Sequence, residues 1–158
     1  MRNILVTLEC FVEKDGRYLM LHRNEDKKIL PGVWMAPGGK REFNEGLFEC
    51  ARREILEETG LTIKNLRVRA VGNAHLKDLD QEFFFTFVFA DYDSGELKDC
   101  EDGELRWLTP KEIMSLENVL AEIKQVGPYI FNKDKNVISY KAVYDKGNNM
   151  VEFEIEKP

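Results

Sequence analysis

Three glutamates, Glu54, Glu57 and Glu58, fall within the short stretch REILEETG at residues 53–60. On a helix the first and last are four residues apart and the first two are three apart, so all three carboxylates share one edge. Like charges so placed repel and raise one another's pKa unless a cation lies among them. A hard divalent ion resolves the conflict: Mg2+ or Mn2+ takes oxygen ligands in octahedral geometry and keeps waters that phosphate oxygens can replace. Arg53 can grip a further carboxylate, Glu45 for example, through a bidentate pair. Upstream, Gly38 and Gly39 let the backbone come close, where it could offer a carbonyl to a metal or N–H groups to a phosphate. A solvated helix face decorated with acids is the competing reading of these charges.

The elements that must carry these residues are legible from periodicity. Leu47, Phe48, Ala51 and Ile55 recur at helical spacing within residues 45–59, with Asn44 as the expected N-cap and Gly60 as the expected left-handed residue past the end. The Pro- and Gly-rich LPGVWMAPGGK before it reads as loop around a short strand. NILVTLECFV and RYLMLHRN are strand-like and flank EKDG, a hairpin turn. LTIKNLRVRAVGNAHL and EFFFTFVFADYD are long strands, the second too apolar to be open on both faces. GELRWLTP adds a short strand, Thr109 caps a helix with Pro110 first, and residues 118–131 predict another helix broken or ended by Gly127-Pro128. VISYKAVYD and MVEFEIE form a closing hairpin across KGNN. The outcome is one α+β domain over residues 1–158 with a mixed sheet and a few helices.

At 158 residues, such a domain can bury about 70% of the surface its unfolded chain exposes. The three cysteines, Cys10, Cys50 and Cys100, make no CxxC pair and are odd in number, which argues against a disulfide framework or a thiolate zinc site and for a reducing, cytoplasmic setting. No apolar run reaches the length of a membrane span or of a signal-peptide core. A net charge of −6 without a dense Lys/Arg block disfavours duplex nucleic acid, whereas a small anionic ligand remains compatible if a metal inverts the local field.

Gly39, five residues, Glu45, seven residues, Arg53-Glu54-Ile55, one residue, Glu57-Glu58, one residue, Gly60-Leu61: this pattern resembles the complete signature of the Nudix hydrolases. The resemblance implies the Nudix α/β/α sandwich, a mixed β-sheet flanked by helices. It also implies hydrolysis of a diphosphate linkage in a nucleoside diphosphate joined to another group. By similarity, Glu54, Glu57 and Glu58 and the Gly38 carbonyl are metal ligands, Arg53 orients the catalytic glutamates, and Glu45 supports them. The general base would be Glu54, Glu57 or a glutamate outside the helix; Glu104, before the RWL strand, is the first positional match and a further metal ligand, and Glu101 is the second.

Within the family the chain looks most like the MutT-type nucleoside triphosphate pyrophosphohydrolases, which include enzymes that remove oxidised purine nucleotides such as 8-oxo-dGTP. Thr7, Arg23, Met35, Gly39 and Lys40 then fall on the substrate side, Thr7 as a pocket residue and Arg23 as a phosphate contact. Relatives that read an oxidised purine often carry asparagine at the position of Met35, and an aspartate pair beside a tryptophan where this chain has only Glu117 and Glu122. Phe83, Phe84, Phe85 and Phe87 offer either a stacking face or core. The implied partner is a small nucleotide, and the implied state is monomer or homodimer. ADP-ribose, a nucleotide sugar or a dinucleotide is the alternative substrate, and a non-catalytic nucleotide-sensing Nudix module is the second alternative.

Overall fold

A computed structural model describes residues 3–132 and 134–158. The chain runs β1 (Ile4–Lys14), β2 (Arg17–Arg23), β3 (Trp34–Met35), β4 (Gly38–Lys40), α1 (Leu47–Thr59), β5 (Thr62–Leu76) and β6 (Gln81–Ser94). It continues through β7 (Gly103–Leu108), α2 (Pro110–Ser115), α3 (Ala121–Ile130), β8 (Ile138–Tyr144) and β9 (Met150–Ile155). The principal sheet order is β3-β2-β1-β6-β5-β8-β9, with β4 paired to β1 and β7 to β2. β1 with β6 and β5 with β8 are parallel and the other pairs antiparallel, so the sheet is mixed, as expected.

Period-two alternation sends successive side chains of each strand to opposite faces, and each face buries its own cluster. On one face Leu8, Cys10 and Val12 of β1 and Val88 and Ala90 of β6 pack against Cys50, Ala51 and Ile55 of α1. On the other, Phe11, Met20, Phe87 and Phe89 pack against Ile113 of α2 and Ile123, Val126 and Ile130 of α3. This second core is aromatic: the Phe11 ring lies edge-on to Tyr18, Phe87 and Phe131 and stacked on Phe89 at 5.0 Å. The sheet is therefore sandwiched between α1 and the α2–α3 pair.

Two helix boundaries differ from the sequence expectation. Asn44 is not the N-cap of α1. It adopts a left-handed φ of 59° in a turn, and Gly46 is the cap, its N–H donating to Glu49 Oε2 at 2.7 Å. The cause is Glu45, whose carboxylate is drawn to Arg53 and also accepts the Glu42 N–H, so residues 42–45 close a turn of their own. α3 is neither broken nor ended at Gly127-Pro128 but continues to Ile130. Burial of Val126 and Ile130 holds the turn, and the proline ring sits on the exposed side. Gly60 does end α1 in the left-handed conformation, at φ 79°, donating its N–H to Leu56 O.

Candidate active site

The loop and helix come together around Arg53. Its guanidinium grips Glu45 bidentately, Nε to Oε1 at 2.7 Å and Nη2 to Oε2 at 2.9 Å. Nη1 donates to Glu54 Oε1 at 2.9 Å and to Glu57 Oε2 at 3.3 Å, and Nη2 also reaches the Lys40 carbonyl at 3.1 Å. One planar cation thus ties β4, the 42–45 turn and two of the three helix glutamates, a geometry that lysine could not reproduce. The Arg53 contact, then the Glu42 N–H, hold the Glu45 carboxyl down at about 2.

The glycines are required by proximity. A Cβ on Gly39 would lie 2.3 Å from Glu54 Oε1, and one on Gly38 would lie 2.1 Å from the Leu8 carbonyl oxygen on paired β1. The Gly38 N–H donates to Glu58 Oε2 at 3.2 Å. Glu58 is largely buried, and desolvation followed by the neighbouring Glu54 carboxylate pushes its carboxyl up to about 7. Gly38 N–H and Arg23 oppose the rise, and Asp102 adds to it. Burial also raises Glu54, against the pull of Arg53. Glu57 is exposed.

Glu54, Glu57 and Glu58 line an open cleft of about 390 Å3 whose far wall is Lys98, Asp99, Cys100, Glu101 and Asp102. Glu104 stands apart from it. Its side chain is exposed, accepts from Arg106 Nη2 at 2.6 Å, and lines the neighbouring hollow with Leu97 and Leu105. Asp99, Glu101 and Asp102 are the loop acids that line the cleft. Asp102 is anchored by Lys27 at 2.5 Å, and its carbonyl accepts the Asn24 N–H. The run DCEDGE made an acidic loop visible in the sequence, but which acid turns inward depends on the β2–β7 register, in which Arg23 opposes Gly103 and His22 opposes Glu104. Among the described residues no three carboxylate, thiol or imidazole groups surround a common point. Glu54 and Glu57 are turned toward Arg53, and Glu58 toward Gly38.

The substrate-side residues divide. Arg23 ends β2 near Glu58, and Lys40 is exposed with its carbonyl held by Arg53. Met35 lines a separate apolar pocket with Phe83, Phe85, Leu120, Glu122 and Tyr144. Phe87 is core and Phe84 is exposed. Thr7 is buried one alternation step from Glu9, and its hydroxyl has no partner among the described residues. Glu9 and Glu122 are the residues the sequence reading underused. Both are buried with one carboxylate oxygen unpaired, and burial raises both carboxyls. Glu9 Oε1 accepts the Ala36 N–H at 2.6 Å, which fixes the segment running from Met35 at the pocket to Gly38 at the cleft. Its signal was an acid at an inward position of β1, in step with Thr7 and Phe11.

The family model of the NUDIX domain matches residues 5–129. The uncharacterized Nudix hydrolase YvcI of Bacillus subtilis is 33% identical over 111 residues, 68% of this chain and 67% of that protein. The putative 8-oxo-dGTP diphosphatase 3 of Mycobacterium tuberculosis is 38% identical over 90 residues, 54% of this chain but only 41% of that protein. Among solved structures, the MutT protein of Bacillus halodurans superposes with a TM-score of 0.84 at 23% identity, covering 98% of this chain and 99% of that one, a likeness of fold. With the Arg53-centred glutamate helix and its glycine loop matched as well, the chain belongs to the Nudix hydrolase family.

Proposed function

We propose that the chain hydrolyses a diphosphate linkage of a nucleoside triphosphate to nucleoside monophosphate and pyrophosphate, with Mg2+ as cofactor and Mn2+ as an alternative. The observation that carries this reading is the Arg53 hub beside Glu58, a set of hard oxygen donors in which Arg53 answers Glu54 and Glu57 and leaves the ionised Glu58 without a cation in contact. The donors fit such an ion: Glu54, Glu57 and Glu58, with the Gly38 carbonyl, would hold it after the carboxylates turn from Arg53. When bound, it supplies charge neutralisation at phosphate oxygens and a lowered pKa for an attacking water.

The chain's own residues do the rest. Arg53 keeps Glu54 and Glu57 in register, and Gly39 lets the loop backbone approach them. Arg23 and Lys40 offer cations to the phosphate chain. A carboxylate takes the proton of the attacking water. Glu54 and Glu57 are the candidates on the helix, Asp99, Glu101 and Asp102 are those in the cleft wall, and Glu104 serves only if it leaves Arg106.

The base would enter the pocket of Met35, Phe83 and Phe85. At about 110 Å3 that pocket is below the ~300 Å3 of typical ligand sites, so it would hold a ring and leave the sugar and phosphates outside. An oxidised purine dNTP such as 8-oxo-dGTP is the finer reading. It draws on the name of the mycobacterial relative and on Glu122, a buried carboxyl with an unpaired oxygen in a mostly apolar wall that also holds Tyr144 and Asn148. A panel of (d)NTPs, 8-oxo-dGTP, ADP-ribose and nucleotide sugars with Mg2+ tests the assignment. Pyrophosphate release from at least one triphosphate is expected. Folded protein that cleaves only ADP-ribose or a nucleotide sugar, or nothing, refutes it.

A further inference from the structure

Away from the cleft, the β1–β2 turn, β5 and the end of α3 border a separate open cavity of about 730 Å3, lined among others by Glu13, Tyr18, Arg67, Arg69, Phe131 and Lys135. Its lining shares no residue with the acidic cleft or the apolar pocket. Arg69, on β5, is only 7% exposed. Its guanidinium is charged at any pH the protein survives, and a buried charge is destabilising unless paired. Yet its hydrogen bonds run to neutral carbonyls, those of Tyr129 at 3.2 Å and of Asp134, with the Phe89 ring 5.8 Å beneath it. Its Nε is buried without an acceptor among the described residues.

Among the described residues no carboxylate is in ion-pair contact with Arg69, and Asp134 acts on it only at longer range. Arg67 beside it is itself a cation, and Arg67 already engages Asp91 at 3.2 Å and Glu13 at 3.7 Å, which uses the two acids of the rim. The Asp134 carboxylate is turned to the backbone and side-chain amides of Asn136. Lys135 adds a second cation to the lining and makes no ion pair among the described residues. Two cations without an ion-pair partner among the described residues, the buried Arg69 and the exposed Lys135, line this one space, and the two negative charges of a phosphate would answer both in compact form.

We propose that this cavity binds a phosphate dianion, free or as the end of a phosphate monoester, between Arg69 and Lys135. The site is independent of the chemistry assigned to the cleft. The test uses 15N-labelled full-length protein in EDTA, so that no metal draws phosphate to the cleft. Inorganic phosphate or methyl phosphate is titrated at constant ionic strength with chloride. A saturable movement of the Arg69 Nε–H resonance is expected, with a Tm rise on the order of 10 °C at a hundredfold excess over Kd. Arg69→Met and Lys135→Met should each weaken binding about tenfold while leaving hydrolysis at the cleft unchanged. Response to inorganic phosphate alone assigns the free ion; response to both assigns the ester end. An Arg69 resonance unmoved by either, or a full Tm response in Arg69→Met, overturns the proposal. If Arg69→Met does not fold, the wild-type resonance and Lys135→Met decide.

Discussion

Replacing Glu58 with glutamine should stabilise the metal-free protein at pH 8 and change little at pH 4.5. The side chain is held between α1 and the Gly38 N–H, where burial and Glu54 push its carboxyl up to about 7 from an ordinary 4.5. A carboxyl raised on folding binds its proton more tightly in the folded state. Its stabilising effect is therefore present below the unfolded pKa and is lost as pH climbs from about 4.5 through 7. At pH 8 the ionised Glu58 costs about 3 kcal/mol, from 1.36 kcal/mol per pH unit over the interval. For a chain of this length that is a Tm difference on the order of 10 °C. Glutamine keeps an acceptor for the Gly38 N–H and carries no charge. Thermal unfolding in EDTA from pH 4.5 to 8 should give a gap between Glu58→Gln and wild type that opens with pH. Taking the difference cancels Glu122, which shifts in the same direction; Glu9 also feels Glu58, so its smaller contribution eases with the same substitution. Saturating Mg2+ at pH 8 should close the gap by restoring the wild type, with a gain of about 2.7 kcal/mol at a hundredfold excess over Kd. A gap that is flat with pH, or a glutamine variant less stable than wild type at pH 8, refutes the electrostatic account of the helix edge.

Other perturbations separate positioning from packing. Gly39→Ala puts a methyl 2.3 Å from Glu54 Oε1 and must push that carboxylate off Arg53; hydrolysis is expected to fall about a hundredfold with little change in Tm. Phe11→Ala empties the centre of the aromatic core and should cost about 3–5 kcal/mol in urea unfolding. Met35→Asn places an amide in the apolar pocket and should raise the kcat/KM ratio of 8-oxo-dGTP over dGTP about tenfold, measured by pyrophosphate release.

The parts of this fold governed by local rules were legible from sequence. The Asp15-Gly16 turn, the Thr109-Pro110 helix start, the Gly60 helix end and the period of β5 and β6 all appear where their residue types put them. The parts governed by distant partners were not. Asn44 lost the cap because Glu45 answers Arg53 eight residues away, and α3 runs through Pro128 because Val126 and Ile130 are buried. In the candidate site, Arg53, Glu54 and Glu57 come together with Glu58 and both glycines at the spacing the sequence shows, because a single helix and its loop carry them. The cleft's opposite wall was not legible from spacing, since Glu101, Asp102 and Glu104 are neighbours in sequence and only strand register decides which face inward. No motif marks Glu9 in the sequence; its contact with Ala36 gives it a place between pocket and cleft.

The central claim is that the glutamates of α1 carry metal-assisted diphosphate hydrolysis, and Glu57→Gln tests it most directly. Glu57 is exposed and its polar partner among the described residues is Arg53, so the variant should fold as wild type does. With Mg2+ and a triphosphate that the wild type cleaves, pyrophosphate release should fall on the order of 10³-fold. Equal release from the two proteins would contradict the account.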